Sequence, residues 1–516
     1  MPRFIRLSAG IAAILGIVVV TAVLGRGREQ AAVAAPPQVN TARQPGRPQI
    51  AVTIAGQGTP TNVPRSFLGL STEYWTIPVW AKHLSLLGRV MSGITPYGPM
   101  VLRVGGSSAD QTFWALSKEL PEWTFETTPS WLRQVRQVIT RFGARVILDL
   151  NLVTATPQVA VRWARAAEAA LPPDSIVGFE IGNEADIYSS TSWQDVTGGA
   201  LAARLLPQGI TPGSYASAYR VYAAALARVD RGIPLLGPAL SEPAAHFRWI
   251  SRLLAGPHPG LGAITVHRYP LSACSPPGWR TFPTIARVLS ANATTGMARA
   301  LRGSLSAARR AHLPLRLTEL NSVTCGGRRG VSNTFATALW APDALFELLK
   351  AGARSAAVHV RGNAINMAFA LTRHGLVANP LLYGLILFSR TLGPRPQLIP
   401  LKLSSPRSLR LKTWAVRVGT NKLHVLLINK GSSTDRVFLR IPAAGSVAVQ
   451  RLTAGSARAT SGVSLNGQHL DTSGRWRGKP ATVMVSSRAG GYALSVPGLS
   501  AALVTAAVRP GPLTSH

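Results

Sequence analysis

The stretch Ile176-Val-Gly-Phe-Glu-Ile-Gly-Asn-Glu184 is an apolar run, rich in β-forming residues, that ends abruptly in polar residues. The run predicts a buried strand over 176–181, with Asn183 and Glu184 at its carboxyl end. The stretch Leu315-Arg-Leu-Thr-Glu319 has the same design, with Glu319 in the equivalent place. The chain has only 20 acidic residues against 55 Lys and Arg. Two carboxylates at strand ends therefore stand out from the background composition.

Apolar segments of this kind recur throughout residues 60–390, with helical patterns between most of them. The stretches 131–141, 159–170, 215–229 and 332–350 carry apolar residues at three- and four-residue spacing, which predicts amphipathic helices. Alternating strands and helices indicate an α/β fold with a parallel sheet, and eight strands favour a closed (β/α)8 TIM barrel. The eight predicted strands cover residues 67–72, 101–105, 145–150, 176–181, 234–236, 263–267, 315–318 and 356–360.

After about residue 390 the hydrophobic pattern changes to a period of two. This pattern, broken by Gly, Ser, Asn and Pro, predicts an antiparallel β-sandwich over residues 391–510. The early segment 49–58 is strand-like but has no helix after it. We expect it to pair into the sandwich and so join the two domains. The strand-like segments of the sandwich are 409–418, 423–429, 436–441, 446–452, 482–486 and 493–496.

The amino terminus has the pattern of an export signal. Basic residues are followed by an apolar run from Leu7 to Gly25, so residues 1–28 are predicted to be a signal peptide or a membrane anchor. Residues 29–48 are rich in Ala, Pro and Gln and are predicted to be a flexible linker. The rest of the chain is therefore expected outside the cytoplasm, either secreted or anchored through its N-terminus.

The chain has two cysteines, Cys274 and Cys325, and each follows a predicted strand by a few residues. Both are thus placed in loops on one face of the barrel. An oxidising compartment favours a disulfide between them, and two free thiols are the alternative. No histidines lie at the spacing of a zinc site, so neither a metal nor an organic cofactor is predicted.

The formal net charge of +35 is spread along the whole chain and is mostly arginine. Such a charge favours anionic partners: an acidic polysaccharide, an anionic envelope surface or nucleic acid. No zinc-finger spacing, basic heptad region or RNA-stacking motif is present, so specific nucleic-acid recognition is not predicted. A bias in composition that leaves a scattered basic surface is the simpler explanation of the charge.

Active sites of this barrel form at the carboxyl ends of the strands, where the polar residues of this chain concentrate. Two carboxyl groups at one rim suit the cleavage of a glycosidic bond, one as acid/base and the other as nucleophile. A pair of structural salt bridges is the alternative for Glu184 and Glu319. Asn183 is placed to bind a sugar 2-hydroxyl, and Tyr269 to orient Glu319 and keep it ionised.

Two further polar residues lie near the predicted strand ends. Glu180 shares one side of its strand with Gly182 and Glu184 but lies deeper in the barrel, and it is interpreted as a structural carboxylate neutralised by Arg103 or another buried donor. His267 fits a packing role and a substrate contact equally well.

Several motifs resemble glycoside hydrolase family 79, a family of β-glucuronidase-like retaining glycosidases, over roughly residues 50–510. Besides the two glutamate motifs, the similar segments are Leu102-Arg-Val-Gly-Gly106 with Asp110, Val266-His-Arg-Tyr269, Asn321-Ser-Val-Thr-Cys-Gly-Gly327, Ser332-Asn-Thr-Phe335 and Asn379-Pro-Leu-Leu-Tyr383. The resemblance implies that Glu184 is the acid/base and Glu319 the nucleophile. It also implies a set of substrate-binding residues: Glu73, Gly106, Asp110, Asn183, His267, Tyr269 and Arg361.

The chain departs from the family at two places. Members commonly have a tyrosine five residues after the nucleophile, where it helps to hold the uronate carboxylate, and this chain has Thr324. The loop 368–379 also lacks a Gly-Asn-Tyr run found in the family. Arg361, Arg373 and His374 lie near the eighth strand and are predicted to supply compensating positive charge.

The expected function is a secreted or surface-anchored retaining glycoside hydrolase. It would cleave β-linked glucuronic acid, or a related sugar, from a polysaccharide or glycoconjugate. A retaining β-glycosidase for neutral sugars, of the xylosidase or glucosidase type, is the nearest alternative. A non-catalytic glycan-binding protein is the second alternative, and nucleic-acid binding by charge alone is the third.

Overall fold

Eight parallel strands, adjacent in chain order, close into a barrel in this computed structural model, which confirms the predicted (β/α)8 fold. Almost every strand residue is buried, because the barrel interior lies on one side and a layer of helices on the other. The barrel strands are Leu68–Glu73, Met100–Gly105, Ala144–Leu150, Ile176–Ile181, Leu235–Leu240, Leu261–Arg268, Leu315–Leu320 and Ser355–His359.

The structure describes residues 50–54, 59–114, 124–153, 155–189, 210–227, 232–404 and 410–509. The predicted signal or anchor segment 1–28 and the linker 29–48 lie outside these ranges, as does the second half of the 49–58 segment. Within the described ranges, no helix combines the length and the apolar character that a membrane crossing requires.

The helices begin where the sequence supplies a cap. Thr128, Thr156 and Thr211 each accept a hydrogen bond from a backbone amide three residues on, and each precedes a proline at the first helical position. The α-helices are Thr76–Ala81, Leu84–Ile94, Pro129–Phe142, Pro157–Ala170, Pro212–Leu226, Phe247–Leu254, Ile285–Val288, Thr295–Ala300, Arg302–Arg310, Phe335–Ala351 and Pro380–Leu392. Short 3-10 helices cover Gly106–Gln111, Ala185–Ile187 and Ala291–Ala293.

The barrel interior changes from apolar to charged along the strands. A small cluster near the amino-terminal ends consists of Val101, Ile147, Val177, Leu236 and Ala263. Side chains alternate along a strand, so the residues two positions after Val101 and Ile147 again face inward. Those residues are Arg103 and Asp149, and both are fully buried. The charged layer therefore lies directly beneath the carboxyl rim.

The C-terminal domain is a sandwich of two sheets around its own apolar core. The neighbouring strands of the smaller sheet are, in order, Leu401–Ser404, Ile50–Ile54, Asp435–Arg440 and Tyr492–Val496. The larger sheet runs through Thr61–Asn62, Pro396–Ile399, Leu411–Val418, Lys422–Asn429, Ser500–Ala507, Val447–Thr453 and Ser464–Leu465, with Val483–Val485 paired to Val447–Thr453.

Two features of the sandwich differ from the predicted arrangement. Ile50–Ile54 precedes the barrel in sequence, yet it pairs in parallel with Asp435–Arg440 and antiparallel with Leu401–Ser404. The central strand Ser500–Ala507 was not among the predicted segments, and it pairs on both sides with long strands. Its first five residues are all buried, and its sequence is almost uniformly apolar. It therefore lacks the alternation of apolar and polar residues that identifies a half-exposed strand.

Four two-stranded ladders complete the structure. They pair Thr112–Trp114 with Phe125–Thr127, Leu271–Ser272 with Val323–Thr324, Phe369–Thr372 with Gly375–Ala378, and His469–Leu470 with Trp476–Arg477. The second of these joins the loops that follow the sixth and seventh barrel strands.

Candidate active site

A cavity of about 180 Å³ opens at the carboxyl rim of the barrel. Side chains from the ends of the first, fourth, seventh and eighth strands meet there, together with residues of the following loops. The predicted site residues Glu73, Asn183, Glu184, Tyr269, Glu319 and Arg361 all line this cavity. Its remaining lining residues are Ser107, Ile187, Thr324, Cys325, Gly326, His359, Ala364 and Asn366.

Arg103 organises the charged layer beneath the cavity. Its Nε donates to Glu180 Oε2 at 2.8 Å, and its Nη1 donates to Glu319 Oε2 at 3.1 Å. Its Nη2 donates both to Asp149 Oδ2 at 2.7 Å and to Asn183 Oδ1 at 2.8 Å. The predicted contact with Glu180 is therefore present. One buried guanidinium fixes three carboxylates and one amide, and two of these four groups line the cavity.

Glu319 is held as an ionised carboxylate. It lies within the strand Leu315–Leu320 rather than after it, and Tyr269 donates its hydroxyl proton to Glu319 Oε1 at 2.7 Å. Burial works against the charge of this group, but His359, His267 and Arg103 outweigh burial and lower the pKa of Glu319 to about 2. The hydroxyl of Tyr269 acts in the same direction, since it stabilises the charged form.

Glu184 has the opposite electrostatic setting. Burial raises the pKa of this carboxyl above its usual value, although the neighbouring His267 acts against that shift. His267 Nδ1 lies 2.8 Å from Glu184 Oε1. Burial disfavours the charged ring of His267, but Glu319 and Glu184 together raise the pKa of that histidine.

The backbone around Glu184 is unusual and fixes the direction of its side chain. Glu184 has φ of 55°, in the left-handed region that non-glycine residues rarely adopt, and its amide donates to Ala239 O at 3.0 Å. Gly182 also has positive φ, and a Cβ there would lie 2.7 Å from Leu152 Cδ2. The turn that carries Glu184 over the rim thus requires the glycine of the sequence motif.

The two glutamates approach each other closely. One carboxylate oxygen of Glu184, one ring nitrogen of His267 and one carboxylate oxygen of Glu319 all lie within 4.8 Å of one another. Across the described residues, this is the one group whose donor atoms could together hold a metal ion. The hydrogen bond between His267 and Glu184 and the ion pair between Arg103 and Glu319 already account for the arrangement.

Glu73 lines the cavity at the end of the first strand. Its Oε2 accepts the amide proton of Ser108 at 2.9 Å, and its Oε1 lies 3.7 Å from His359 Nε2. Burial opposes its ionisation, but His359 and Arg361 outweigh burial and lower the pKa of Glu73. Gly106 has φ of 74°, and a Cβ there would lie 2.6 Å from the carboxyl carbon of Glu73.

Three predicted substrate-binding residues do not reach the cavity wall. Gly106 lies behind Glu73, and His267 is fully buried behind Glu184. Asp110 is also fully buried; its Oδ1 accepts the amide proton of Leu152 at 3.1 Å, and burial raises its pKa to about 7. Gly106 and Asp110 belong to the 3-10 turn after the second strand, whereas His267 belongs to the sixth strand, and all three contact or support residues of the wall instead of lining it.

Two lining residues, one at the end of the eighth strand and one in the loop after it, were not among the predicted substrate-binding residues. His359 lies 3.6 Å from Glu319 and thus bridges the regions of Glu73 and Glu319. Asn366 is buried and donates to Val323 O at 2.6 Å, which ties the two loops together. Arg373 and His374 are exposed on the hairpin beyond the eighth strand and are absent from the cavity lining, so of the three predicted cationic residues only Arg361 reaches the cavity.

The two cysteines form a disulfide, as predicted. Cys274 follows the short strand Leu271–Ser272, and Cys325 follows Val323–Thr324, its parallel partner. Cys325 also lines the cavity. The disulfide therefore fastens the loop after the sixth strand to the wall of the candidate site.

Comparison with known proteins supports the family resemblance seen in the sequence. Residues 413–503 match the sequence model of the glycosyl hydrolase family 79 C-terminal beta domain. No curated protein sequence matches the chain significantly.

Solved structures share the fold over most of the chain. A 4-O-alpha-L-rhamnosyl-beta-D-glucuronidase from Fusarium oxysporum 12S, solved as a Rha-GlcA complex, is similar over 88% of this chain and 100% of its own, with a TM-score of 0.70 and 16% identity. A family 51 arabinofuranosidase from Xanthomonas axonopodis pv. citri is similar over 89% of this chain and 100% of its own, with a TM-score of 0.65 and 14% identity. At these identities the likeness establishes the fold.

Proposed function

We propose that this chain, a glycoside hydrolase by its family 79 C-terminal domain, is a retaining enzyme that releases β-linked glucuronic acid or a closely related uronic acid. The close approach of Glu184 and Glu319, with oxygens no more than 4.8 Å apart, carries the proposal. Retaining glycosidases hold their two carboxyl groups about 5–5.5 Å apart, whereas inverting enzymes need about 6.5–9.5 Å to admit a water molecule.

The opposite electrostatics of the two glutamates support their roles. Glu184, with a raised pKa, keeps the proton that it donates to the glycosidic oxygen. Glu319, with a lowered pKa, is the ionised nucleophile that attacks the anomeric carbon. The leaving group departs as an alcohol, and an ester joins Glu319 to the sugar. Glu184, now ionised, takes a proton from water as the hydroxide attacks the same carbon and frees Glu319.

The surrounding residues position these two groups. Arg103 and Tyr269 each hold one oxygen of Glu319, so the carboxylate presents a fixed edge to the substrate. Asn183 is oriented by Arg103 through its Oδ1, which leaves its amide nitrogen for a sugar hydroxyl. Glu73 lines the cavity and accepts the amide proton of Ser108 through Oε2, and its carboxylate is suited to bind sugar hydroxyls as well.

The positive charge of Arg361 favours a uronate over a neutral sugar. Arg361 lines the cavity and lies over the ring of Trp75, with its guanidinium carbon 5.6 Å from the ring centre. A neutral sugar remains the second candidate, because Thr324 occupies the cavity wall where family members commonly carry a carboxylate-binding tyrosine.

An extracytoplasmic location fits this activity, either secreted or anchored by the N-terminal segment. The disulfide between Cys274 and Cys325 supports it, since such bonds persist in oxidising compartments.

The decisive experiment compares the unaltered protein with Glu319→Gln on nitrophenyl β-glucuronide and on the corresponding neutral glycosides. Removal of the nucleophile should lower kcat by roughly 10⁴–10⁶-fold while the melting temperature stays within a few degrees. Proton NMR of the first product should show the β-anomer, as retention requires. The control is Glu126→Gln, which replaces an exposed glutamate away from the cavity.

Full activity of Glu319→Gln, or an α-anomer as the first product, would contradict the mechanism. Faster hydrolysis of a neutral glycoside than of the glucuronide would leave the mechanism in place and replace the proposed substrate.

A further inference from the structure

Trp279 is the most exposed large hydrophobic side chain within the described ranges, with 64% of its surface accessible. Every other tryptophan in those ranges is buried or half-buried. Burial of apolar surface contributes a favourable free energy of about 25 cal/mol per Å². The exposed ring of Trp279 does not gain this free energy, whereas the buried tryptophans do. Tryptophan is enriched at binding interfaces, where its apolar ring makes contact and its N–H meets a polar group or water.

The backbone holds Trp279 in a defined place. The Trp279 amide donates to Pro276 O at 3.3 Å, and Trp279 O accepts from Phe282 N at 3.0 Å. Arg287 Nη1 donates to both Trp279 O and Phe282 O at 2.6 Å. Arg328 covers the ring of Phe282, with its guanidinium carbon 4.1 Å from the ring centre. The exposed ring is thus presented by an ordered loop.

That loop is attached to the wall of the catalytic cavity. Thr281, two residues after Trp279, accepts the amide proton of Ser272 at 2.8 Å. Ser272 pairs with Thr324 in the two-stranded ladder, and the disulfide joins the neighbouring positions Cys274 and Cys325. Thr324 and Cys325 both line the cavity. Trp279 therefore belongs to a loop on the carboxyl rim of the barrel that is attached to the wall of the cavity.

The cavity itself is small compared with the substrate that is proposed. Its volume of about 180 Å³ is below the roughly 300–1,000 Å³ of pockets that enclose drug-sized ligands. One sugar fills such a space, so the rest of a glycan chain must lie on the rim outside it.

We propose that Trp279 and the adjacent Arg280 form a subsite for the leaving-group part of an acidic glycan. The indole face stacks on the C–H face of a pyranose ring. The guanidinium of Arg280 is exposed, has no carboxylate within ion-pair distance across the described ranges, and meets a carboxylate or sulfate of the glycan. This subsite rests on the proposed function and lies outside the cavity that holds the cleaved sugar.

The test uses two substrates that share the cleaved sugar and differ in the leaving group. One is nitrophenyl β-glucuronide; the other is a hexasaccharide with glucuronic acid at its non-reducing end. Trp279→Ala should lower kcat/KM for the hexasaccharide about three- to tenfold, mainly through KM, and leave the nitrophenyl substrate within twofold. Trp279→Phe should recover most of the loss, since it keeps an aromatic face.

Tyr97→Ala is the matched control, because Tyr97 is also an exposed aromatic residue, 47% accessible, but precedes the strand Met100–Gly105 and so lies at the opposite end of the barrel. It should change neither substrate. Arg280→Gln should raise KM for a hexasaccharide whose five leaving-group sugars include acidic ones, and spare one whose five leaving-group sugars are neutral, since both keep the terminal glucuronic acid. An equal loss on both substrates in Trp279→Ala, or no loss on either, would overturn the subsite.

Hexasaccharide binding to the Glu319→Gln protein, measured by calorimetry, separates this inference from the proposed function. If the unaltered protein hydrolyses neither substrate, the proposed function fails, and the subsite stands only if Trp279→Ala still weakens binding in the Glu319→Gln background. Unchanged binding in that background rejects the subsite whatever the activity.

Discussion

The protein contains two buried clusters of charge that differ in balance. At the barrel rim, the single guanidinium of Arg103 faces the carboxylates of Asp149, Glu180 and Glu319. At the junction of barrel and sandwich, Asp343 and Glu347 face two lysines, Lys412 and Lys430. Both clusters border cavities, but the rim cluster has one guanidinium for three carboxylates, whereas the charges of the junction are paired one to one.

The junction cluster satisfies the rules for a structural ion pair. Lys430 Nζ lies 2.5 Å from Asp343 Oδ2, and Lys412 Nζ lies 2.6 Å from Glu347 Oε1. Trp414 Nε1 donates to Asp343 Oδ1 at 3.1 Å, so both oxygens of this buried carboxylate are bonded. Burial opposes the charge of Asp343, but Lys430 and Lys412 outweigh burial and lower its pKa.

The rim cluster leaves its carboxyl groups in unlike states. Burial raises the pKa of Asp149 well above its usual value, even though Arg103 acts against that shift. The pKa values of Glu184 and Glu319 are moved in opposite directions within the same cavity. Pairs of titratable groups that are pushed apart in this way mark acid and base roles. The contrast indicates that unbalanced buried charge next to an open cavity, rather than buried charge as such, identifies the functional site.

Among the variants that test this comparison, Glu184→Ala is expected to have the largest effect, which is on kcat. Loss of the general acid should lower kcat about 10²–10⁴-fold for a leaving group that needs protonation, and much less for dinitrophenolate. In the unaltered protein the rate should fall as pH rises through the raised pKa of Glu184, because the carboxyl must be protonated to donate. The measurement is a pH–rate profile on substrates with both kinds of leaving group.

The alkaline limb should disappear in Glu184→Ala when dinitrophenolate is the leaving group. Because His267 and Glu184 are in contact, the limb in the unaltered protein reports the titration of the pair. Persistence of the same limb in Glu184→Ala would assign it to another group and remove Glu184 from the acid role.

The junction cluster should respond in stability instead of rate. Lys430→Met leaves Asp343 charged in a buried site, and removal of one partner of a buried ion pair costs about 3–5 kcal/mol of unfolding free energy. Thermal and denaturant unfolding measure this loss, while kcat at 25 °C should remain unchanged. The double variant with Asp343→Leu removes the orphaned charge and should recover part of the loss. A large fall in kcat for folded Lys430→Met would contradict the division between the two clusters.

The sequence was sufficient to predict the barrel because its strands are buried on both faces. Such strands appear as short apolar runs, and their polar ends mark one rim. The same reasoning failed for Ser500–Ala507, whose run of small apolar residues lacks the alternation that identified the other sandwich strands. The hydrophobic pattern therefore predicted the strands with a simple burial pattern and missed Ser500–Ala507, as well as the short strands Pro396–Ile399 and Leu401–Ser404.

The same limit applies to the candidate site. The predicted strand ends were enough to place Glu184, Glu319 and Tyr269 at the carboxyl rim. This prediction requires knowing only how far along the barrel axis each residue lies. The bonds of Arg103 to Glu319 and Asn183, and the position of His359 between two glutamates, depend on which strands face each other across the barrel. Spacing along one chain gives no measure of those distances, so these contacts emerge only from the folded structure.

The smallest effect concerns substrate choice at the cavity. Arg361→Gln removes a cation from the cavity wall, and a hydrogen bond to a charged group contributes about 1.5–3 kcal/mol. The variant should therefore raise KM for the nitrophenyl glucuronide about tenfold to a hundredfold and leave neutral nitrophenyl glycosides unchanged. Arg373→Gln is the control, because Arg373 is an exposed arginine on the hairpin after the eighth strand and does not line the cavity. An equal rise in KM for charged and neutral substrates would show that Arg361 supports the cavity wall through Trp75 rather than binding a carboxylate. The positive charge at the rim would then act only on the ionisation of the glutamates.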